Sequence, residues 1–343
     1  MTRAERRRKE RARKKAAKKG LPEQGLITLE NPVARHFETF IVGNVAHYQE
    51  VYKEEPPVAV QDSAEGQTLL LCGAGPSLAE HIEEYRADQV WGCNSALIWL
   101  HDEGHDPTHG FCVDQTPHML REWESAPDVE YLIASSVHCA LVEYLVQKNR
   151  RLRFFNNYVG IKKPPVEWDG RSMEYEDWLY TLLWPATCRA GSGLNSVTRA
   201  IDVALFMGFE KVSILGADCS ISFDQMPPTF KLPNGEDAEY PPGSPENTKW
   251  LENHTRMHVD GSSAIRSGAT AVTMISEIDG RWWLTKPDLA ISAMCLVQMT
   301  HKHEDRIELV GDTFPNAIKD KPKEYLARLP NFVDNQGNIL DLV

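Results

Sequence analysis

Short apolar runs alternate with helix-spaced segments over most of this chain. Thr68-Leu69-Leu70-Leu71-Cys72 runs straight into Gly73-Ala74-Gly75-Pro76-Ser77-Leu78. A short apolar run stopped by glycine predicts a buried strand. Pro76 stands where a first helical turn tolerates it, because its missing N–H would find no intrahelical partner there. The stretch therefore predicts strand, tight turn and helix start, with the helix reaching about Arg86. Further strands are predicted over 90–94, 110–114, 129–134 and 152–155, with helices over 96–102 and 138–147. A second glycine turn follows, Ala190-Gly191-Ser192-Gly193-Leu194-Asn195-Ser196. The spacing of Val197, Ile201, Ala204 and Leu205 after it predicts a helix that Gly208 ends. Lys211–Asp218 predicts a strand closing on an acid. Val272–Ile278 and Arg281–Thr285 flank Asp279-Gly280, a two-residue hairpin signal. A helix over Pro287–His301 and a strand over Arg306–Val310 complete the series.

Strands separated by helices of 10–15 residues imply a largely parallel sheet. The expected fold class is α/β: Rossmann-like, a mostly parallel sheet with helices on both faces, plus lid-like insertions. Two segments break the alternation. Residues 156–187 carry Pro164-Pro165 and aromatics from Trp168 to Trp184, which suits either a cover over a site or a surface insertion packed on the core. Residues 223–253 are rich in Pro, Gly, Asn and acids and predict a long loop or lid. Before the first strand, apolar residues spaced by three and four over 28–52 predict a helix, and Pro56-Pro57 opens a linker. The expected organisation is a basic arm over 1–20, a helix and linker over 21–66, a Rossmann-like domain over 67–311 and a tail over 312–343.

Charge sharpens this division. Residues 1–19 hold eleven Lys/Arg and two Glu, a net of +9, which leaves −21 on the rest of a chain whose total is −12. Such an arm suits nucleic acid or another anionic partner through counterion release. The plain alternative is a solvated tail. The acidic body argues against a broad nucleic-acid groove on the folded domain. The seven cysteines are scattered, without a C-x-x-C pair, as expected of reduced thiols in a cytoplasmic protein. No apolar run reaches the ~18–20 residues of a membrane span, and no secretory apolar core opens the chain.

The first glycine turn offers backbone N–H groups and a helix start to one point, which suits a phosphate. It is not the dinucleotide fingerprint, because Leu78 stands at the third glycine position, and no Gly-Lys-Ser/Thr follows to make a P-loop. It could equally be a plain α/β turn that needs glycine for positive φ. Asp114 and Asp218, both read at strand ends, suit a ligand crevice or the capping of following helices. His254 and His258 are four apart but lack the glutamate of a zinc-binding H-E-x-x-H helix.

Taken in order, the chain carries Gly73-Ala74-Gly75-Pro76-Ser77-Leu78, Cys93-Asn94, Pro107 with Asp114, Gly191-Ser192-Gly193, Leu215-Gly216-Ala217-Asp218, His258, and Asp279-Gly280 with Thr285. The set resembles the 6-hydroxymethylpterin diphosphokinase-like family, which includes the motility accessory factors of flagellin glycosylation. The first half is also similar to bacterial sialyltransferases that use CMP-sialic acid. They share the G-x-G-P-S-L turn, the Cys-Asn pair and the Gly-Ser/Gly-Val helix leading to a Gly-x-Asp strand. The resemblance spans residues 68–311.

It implies a nucleotide-dependent transferase, and two reactions fit. In the first, an acceptor hydroxyl attacks a nucleotide-activated, CMP-type sugar. His258 is then the base, with Asp218 beside it in the catalytic set. Gly73, Ala74, Gly75, Pro76, Ser77, Ser192 and Gly193 hold phosphate or ribose, and Asn94 and Asp114 face the nucleotide. In the second, ATP donates diphosphate to a pterin hydroxymethyl group. Asp114 and Asp218 then suit Mg²⁺, and Arg199 is the nearest basic candidate. The absence of a basic cluster in either turn leans towards sugar transfer. An idle His258 with intact turns would instead mark a non-catalytic nucleotide-binding or scaffold protein.

Overall fold

The computed structural model describes residues 27–28, 37–52, 57–125, 127–161, 163–184, 187–223, 229–231, 237–239, 274–285, 287–320 and 332–333. The chain divides into two units, residues 35–317 and the two terminal segments 1–34 with 318–343. In the terminal unit Ile27–Thr28 pairs in parallel with Phe332–Val333.

The large unit opens with α1 (Phe37–Tyr52). It then alternates β1 (Thr68–Cys72), α2 (Ser77–His81), β2 (Gln89–Cys93), α3 (Ser95–Asp102), β3 (His109–Cys112), α4 (Met119–Glu122), β4 (Glu130–Ala134), α5 (Cys139–Gln147) and β5 (Arg151–Asn157). A small antiparallel hairpin, β6 (Val166–Trp168) and β7 (Arg171–Met173), precedes α6 (Tyr175–Leu183). Then come β8 (Arg189–Ala190), α7 (Ser196–Met207), β9 (Lys211–Leu215), β10 (Ile221–Phe223), β11 (Met274–Ile278), β12 (Arg281–Thr285), α8 (Pro287–Lys302) and β13 (Ile307–Leu309).

Eight parallel strands form the main sheet in the order β13-β9-β1-β2-β3-β4-β5-β8. The expected α/β fold with a mostly parallel sheet is the observed one. Its strands read as apolar runs because both faces are covered: Leu69, Leu70, Leu71 and Cys72 are all buried in succession. Trp91, Phe111, Phe155 and Phe209 add an aromatic layer, with Phe111 stacked on Phe155 at 5.0 Å. From β1 the chain steps outward to β8. Helix α7 then returns it to β9, on the other side of β1. Strand order therefore reverses between β1 and β9, and the crevice beyond such a reversal is where α/β sheets bind ligands.

Several boundaries differ from the sequence reading. The helix expected from Pro76 to Arg86 is α2 of five residues followed by a 3-10 turn, Ile82–Glu84. Strands β3 and β9 stop at Cys112 and Leu215, so Asp114 and Asp218 lie in the loops beyond them. Within 156–187 the described residues form the end of β5, the hairpin and α6. The hairpin signal at Asp279-Gly280 is borne out, with φ of +50° and +81° joining β11 to β12, as a type I′ turn requires. With β10, this pair makes a separate three-stranded sheet. Thr285 Oγ1 donates to Cys219 O at 2.6 Å and ties that sheet to the end of β9.

Candidate functional site

The ends of β1 and β9 interlock through glycine. Gly73 N donates to Leu215 O at 2.8 Å and Gly75 N to Gly216 O at 2.9 Å. Ser77 donates from its hydroxyl to Asp218 Oδ2 at 2.9 Å and from its N–H at 3.3 Å. Gly216 N donates back to Ser77 Oγ at 3.1 Å. A Cβ on Gly75 would sit 2.0 Å from Asp218 Oδ2. Glycine is required here so that a carboxylate of the chain itself can enter the turn. The sequence reading gave these N–H groups to a phosphate, but those of Gly73, Gly75 and Ser77 are engaged within the chain. Ala74 packs on the cluster around Leu70 and Leu78, and Pro76 takes helical φ and ψ of −57° and −31°. Asp218 is buried, and burial pushes its pKa up to about 6 against the lowering effect of the Ser77 hydrogen bonds.

Asn94 follows β2 with φ +49° and ψ −123°, a region that favours glycine. Its backbone is held there from two sides. Asn94 N donates to Phe111 O at 3.0 Å, and Trp123 Nε1 donates to Asn94 O at 3.0 Å. Its Oδ1 is buried and has no hydrogen-bond partner. Cys219, one residue past Asp218, also has positive φ, at +54°. Strain of this kind gathers where surrounding structure fixes a functional geometry.

Asp114 lies two residues past β3. Its Oδ1 accepts from Thr116 N at 2.8 Å and Thr116 Oγ1 at 2.7 Å, closing an Asx turn. Its Oδ2 is 3.6 Å from His118 Nε2, which lies 3.4 Å from Glu122 Oε1. The strand ends carrying Asp218, Gly73, Asn94 and Asp114 are consecutive in the sheet, so they span ~14 Å at about 4.8 Å per strand.

The second glycine turn repeats the device of the first. Asp202 accepts from Gly191 N at 2.8 Å, Ser192 N at 2.7 Å and Ser192 Oγ at 2.7 Å. Gly193 has φ +60°, and a Cβ there would meet Thr198 Oγ1 at 2.4 Å. Asn195 caps α7 by accepting from Thr198 N at 2.9 Å. A Cβ on Gly73 would lie 3.0 Å from Val197 Cγ2, so the first turn of α7 abuts the first glycine turn. The structure thus brings together the two turns, Asn94, Asp114 and Asp218. His254 and His258 lie outside the described residues, as do residues 1–20. Asp202, Thr116, His118 and Trp123 are additions. The spacing of Asp114, His118 and Glu122, four residues apart in each step, was the one available signal for the third of these.

Comparison with known proteins adds family context. Residues 44–224, just over half of the chain, match the family model described as 6-hydroxymethylpterin diphosphokinase MptE-like. Among solved structures, the MAf glycosyltransferase from Magnetospirillum magneticum AMB-1 aligns with 89% of this chain at 11% identity and a TM-score of 0.49. The alignment covers 43% of that protein, so this chain spans less than half its length. No curated protein matches the sequence.

Proposed function

Because this chain belongs to the 6-hydroxymethylpterin diphosphokinase MptE-like family, we propose that it is a nucleotide-dependent transferase whose donor is a CMP-type activated sugar. The observation that carries the reading is Asn94. A half-buried amide on a strained backbone, with an unpartnered Oδ1, stands one strand from the reversal, between the glycine turn and Asp114. An amide so placed fits hydrogen bonding to a nucleoside. The charge around it favours a donor with few phosphates. Asp218 and Asp202 fill the two turns, and neither turn contains Lys or Arg. A triphosphate would face these carboxylates directly.

Diphosphate transfer from ATP is the second reading, and the family's name favours it. The acids that reading assigns to Mg²⁺ are committed elsewhere: Asp218 to Ser77, and Asp114 to Thr116 and His118. Among the described residues, no group of three His, Cys, Asp or Glu side chains is arranged to hold a metal ion. These residues do not fit a resident metal. His258, which the resemblance puts forward as base, enters the reading as an untested member of the site.

Thermal denaturation with CMP, CDP, UDP and ATP, each with and without Mg²⁺, tests the choice. CMP is expected to raise Tm without metal. At a hundred times Kd the stabilisation is about 2.7 kcal/mol. A rise seen only with ATP and Mg²⁺ would move the assignment to the kinase reading, and no rise with any nucleotide would remove both. Asn94→Gly refines the test. Relief of the backbone strain is expected to add about 1 kcal/mol, while the CMP-dependent rise in Tm disappears. A CMP response equal to wild type in this variant would take Asn94 out of the site.

A further inference from the structure

Arg199 is a partly buried arginine that, among the described residues, has no carboxylate within ion-pair distance and spends only one guanidinium donor. Arg150 pairs with Asp128, Arg153 with Glu130, Arg189 with Asp177 and Arg281 with Asp312. Arg306 donates twice to Phe209 O. Among the described residues, the Arg199 guanidinium makes a single hydrogen bond, from Nη1 to Ala190 O at 2.9 Å. A guanidinium carries five N–H donors and no acceptor, so most of its hydrogen-bonding capacity is unused.

The acids whose charges reach it are occupied elsewhere. Asp202 accepts from the N–H groups of Gly191 and Ser192 and from the Ser192 hydroxyl. Glu176 is buried and accepts from Val159 N, Gly160 N and Ile161 N, each at 2.9 Å. Burial disfavours the charged guanidinium, and the nearby acids offset this only in part. Its position is on the binding side of the sheet. It lies in the first turn of α7, whose Val197 abuts Gly73. It also interacts electrostatically with Tyr180, whose hydroxyl donates to Asn157 O at the end of β5. Asn157 is buried too, and its Oδ1 has no partner. A chain that holds a guanidinium half-buried with its donors unspent has built a receptor for an oxyanion, because leaving such a cation uncompensated is costly.

We propose that Arg199 is the oxyanion anchor of this site, receiving either the donor's phosphate or a carboxylate of the transferred sugar. The choice of nucleotide probes rests on the CMP-sugar reading, whereas the inorganic-phosphate measurement does not.

The experiment compares wild type, Arg199→Lys and Arg199→Met in titrations with cytidine, CMP, CMP-sialic acid and inorganic phosphate. Arg199→Met is expected to bind CMP at least tenfold more weakly and cytidine unchanged, if the anchor takes phosphate. An unchanged CMP affinity with tenfold weaker CMP-sialic acid would assign the carboxylate instead. Either pattern supports the anchor. Arg199→Lys should recover part of the loss, since it keeps the charge without the two-pronged geometry. It also serves if the Met variant fails to fold, because loss of the fork alone is expected to weaken binding. Phosphate should raise the Tm of wild type and not that of Arg199→Met. Equal binding of every anionic probe by wild type and both variants, or no anion response in wild type, overturns the proposal. If wild type responds to phosphate through Arg199 but binds neither cytidine nor CMP, the anchor stands and the CMP-sugar reading falls.

Discussion

Replacing Gly216 by alanine is expected to cost the large unit about 4 kcal/mol. The new Cβ would stand 2.0 Å from Gly73 O and 2.7 Å from Gly73 C, both backbone atoms. Backbone paired across β1 and β9 cannot step aside as a side-chain tip can, so the overpacking cost falls near the upper end of its usual ~1–3 kcal/mol range. The left-handed φ of +67° adds roughly 1 kcal/mol. At about 2–4 °C per kcal/mol for a unit of this size, Tm should fall by ~10 °C. Gly280→Ala separates the two contributions. Gly280 also has positive φ, +81°, but nothing lies within 4 Å of its added Cβ, so only the conformational cost of about 1 kcal/mol applies. Equal losses in the two variants, measured by chemical denaturation, would mean that β1 and β9 do not approach as closely as described. The loss at Gly216 should also weaken the proposed nucleotide binding, since Gly75 N is held by Gly216 O.

The same two glycine turns explain what could be read from the sequence and what could not. Short apolar runs located β1, β2, β3, β4, β5 and β9 to within a few residues, because strands covered on both faces are mostly apolar. The cap of α7 and the hairpin at Asp279-Gly280 were equally legible, since each depends on residues adjacent in sequence. The purpose of the turns was not. Ser77 and Asp218 are 141 positions apart, and Ser192 and Asp202 are joined across a helix start. A glycine that admits a carboxylate from elsewhere in the chain reads the same as one that admits a phosphate. Only the fold distinguishes them, and here three donors of the first turn are already used.

Two elements gave no periodic signal. Helix α4 has four residues and β8 has two, both too short for a pattern. Yet α4 brings Trp123 onto Asn94 O, which holds the strained residue of the candidate site. Arg199 stood in the sequence as the nearest basic candidate only by elimination. Its significance comes from where Asp202 and Glu176 direct their oxygens, which no local pattern encodes.

Asp218→Asn is expected to be close to neutral at low pH and stabilising at neutral pH. Burial raises the Asp218 pKa to about 6 from an ordinary 3.8. An acid whose folded pKa is raised contributes its stability in full below about pH 3.8 and loses it as pH climbs through about 6. Two units correspond to about 3 kcal/mol. Wild type therefore carries that penalty above pH 6, while the amide does not titrate. The amide oxygen still accepts from the Ser77 hydroxyl, so below pH 4 the variant should match wild type to within about 1 kcal/mol. Between pH 4 and 7 its stability relative to wild type should climb by about 3 kcal/mol, read from urea denaturation across that range. A flat difference would mean that Asp218 is not buried as described. The gain would have a functional counterpart. A buried acid near 6 can take or give a proton at neutral pH, and an amide cannot. A variant that is more stable at pH 7 and retains CMP binding but loses turnover would keep Asp218 in the catalytic set. Full turnover would leave it as the acceptor that closes the first glycine turn on the end of β9.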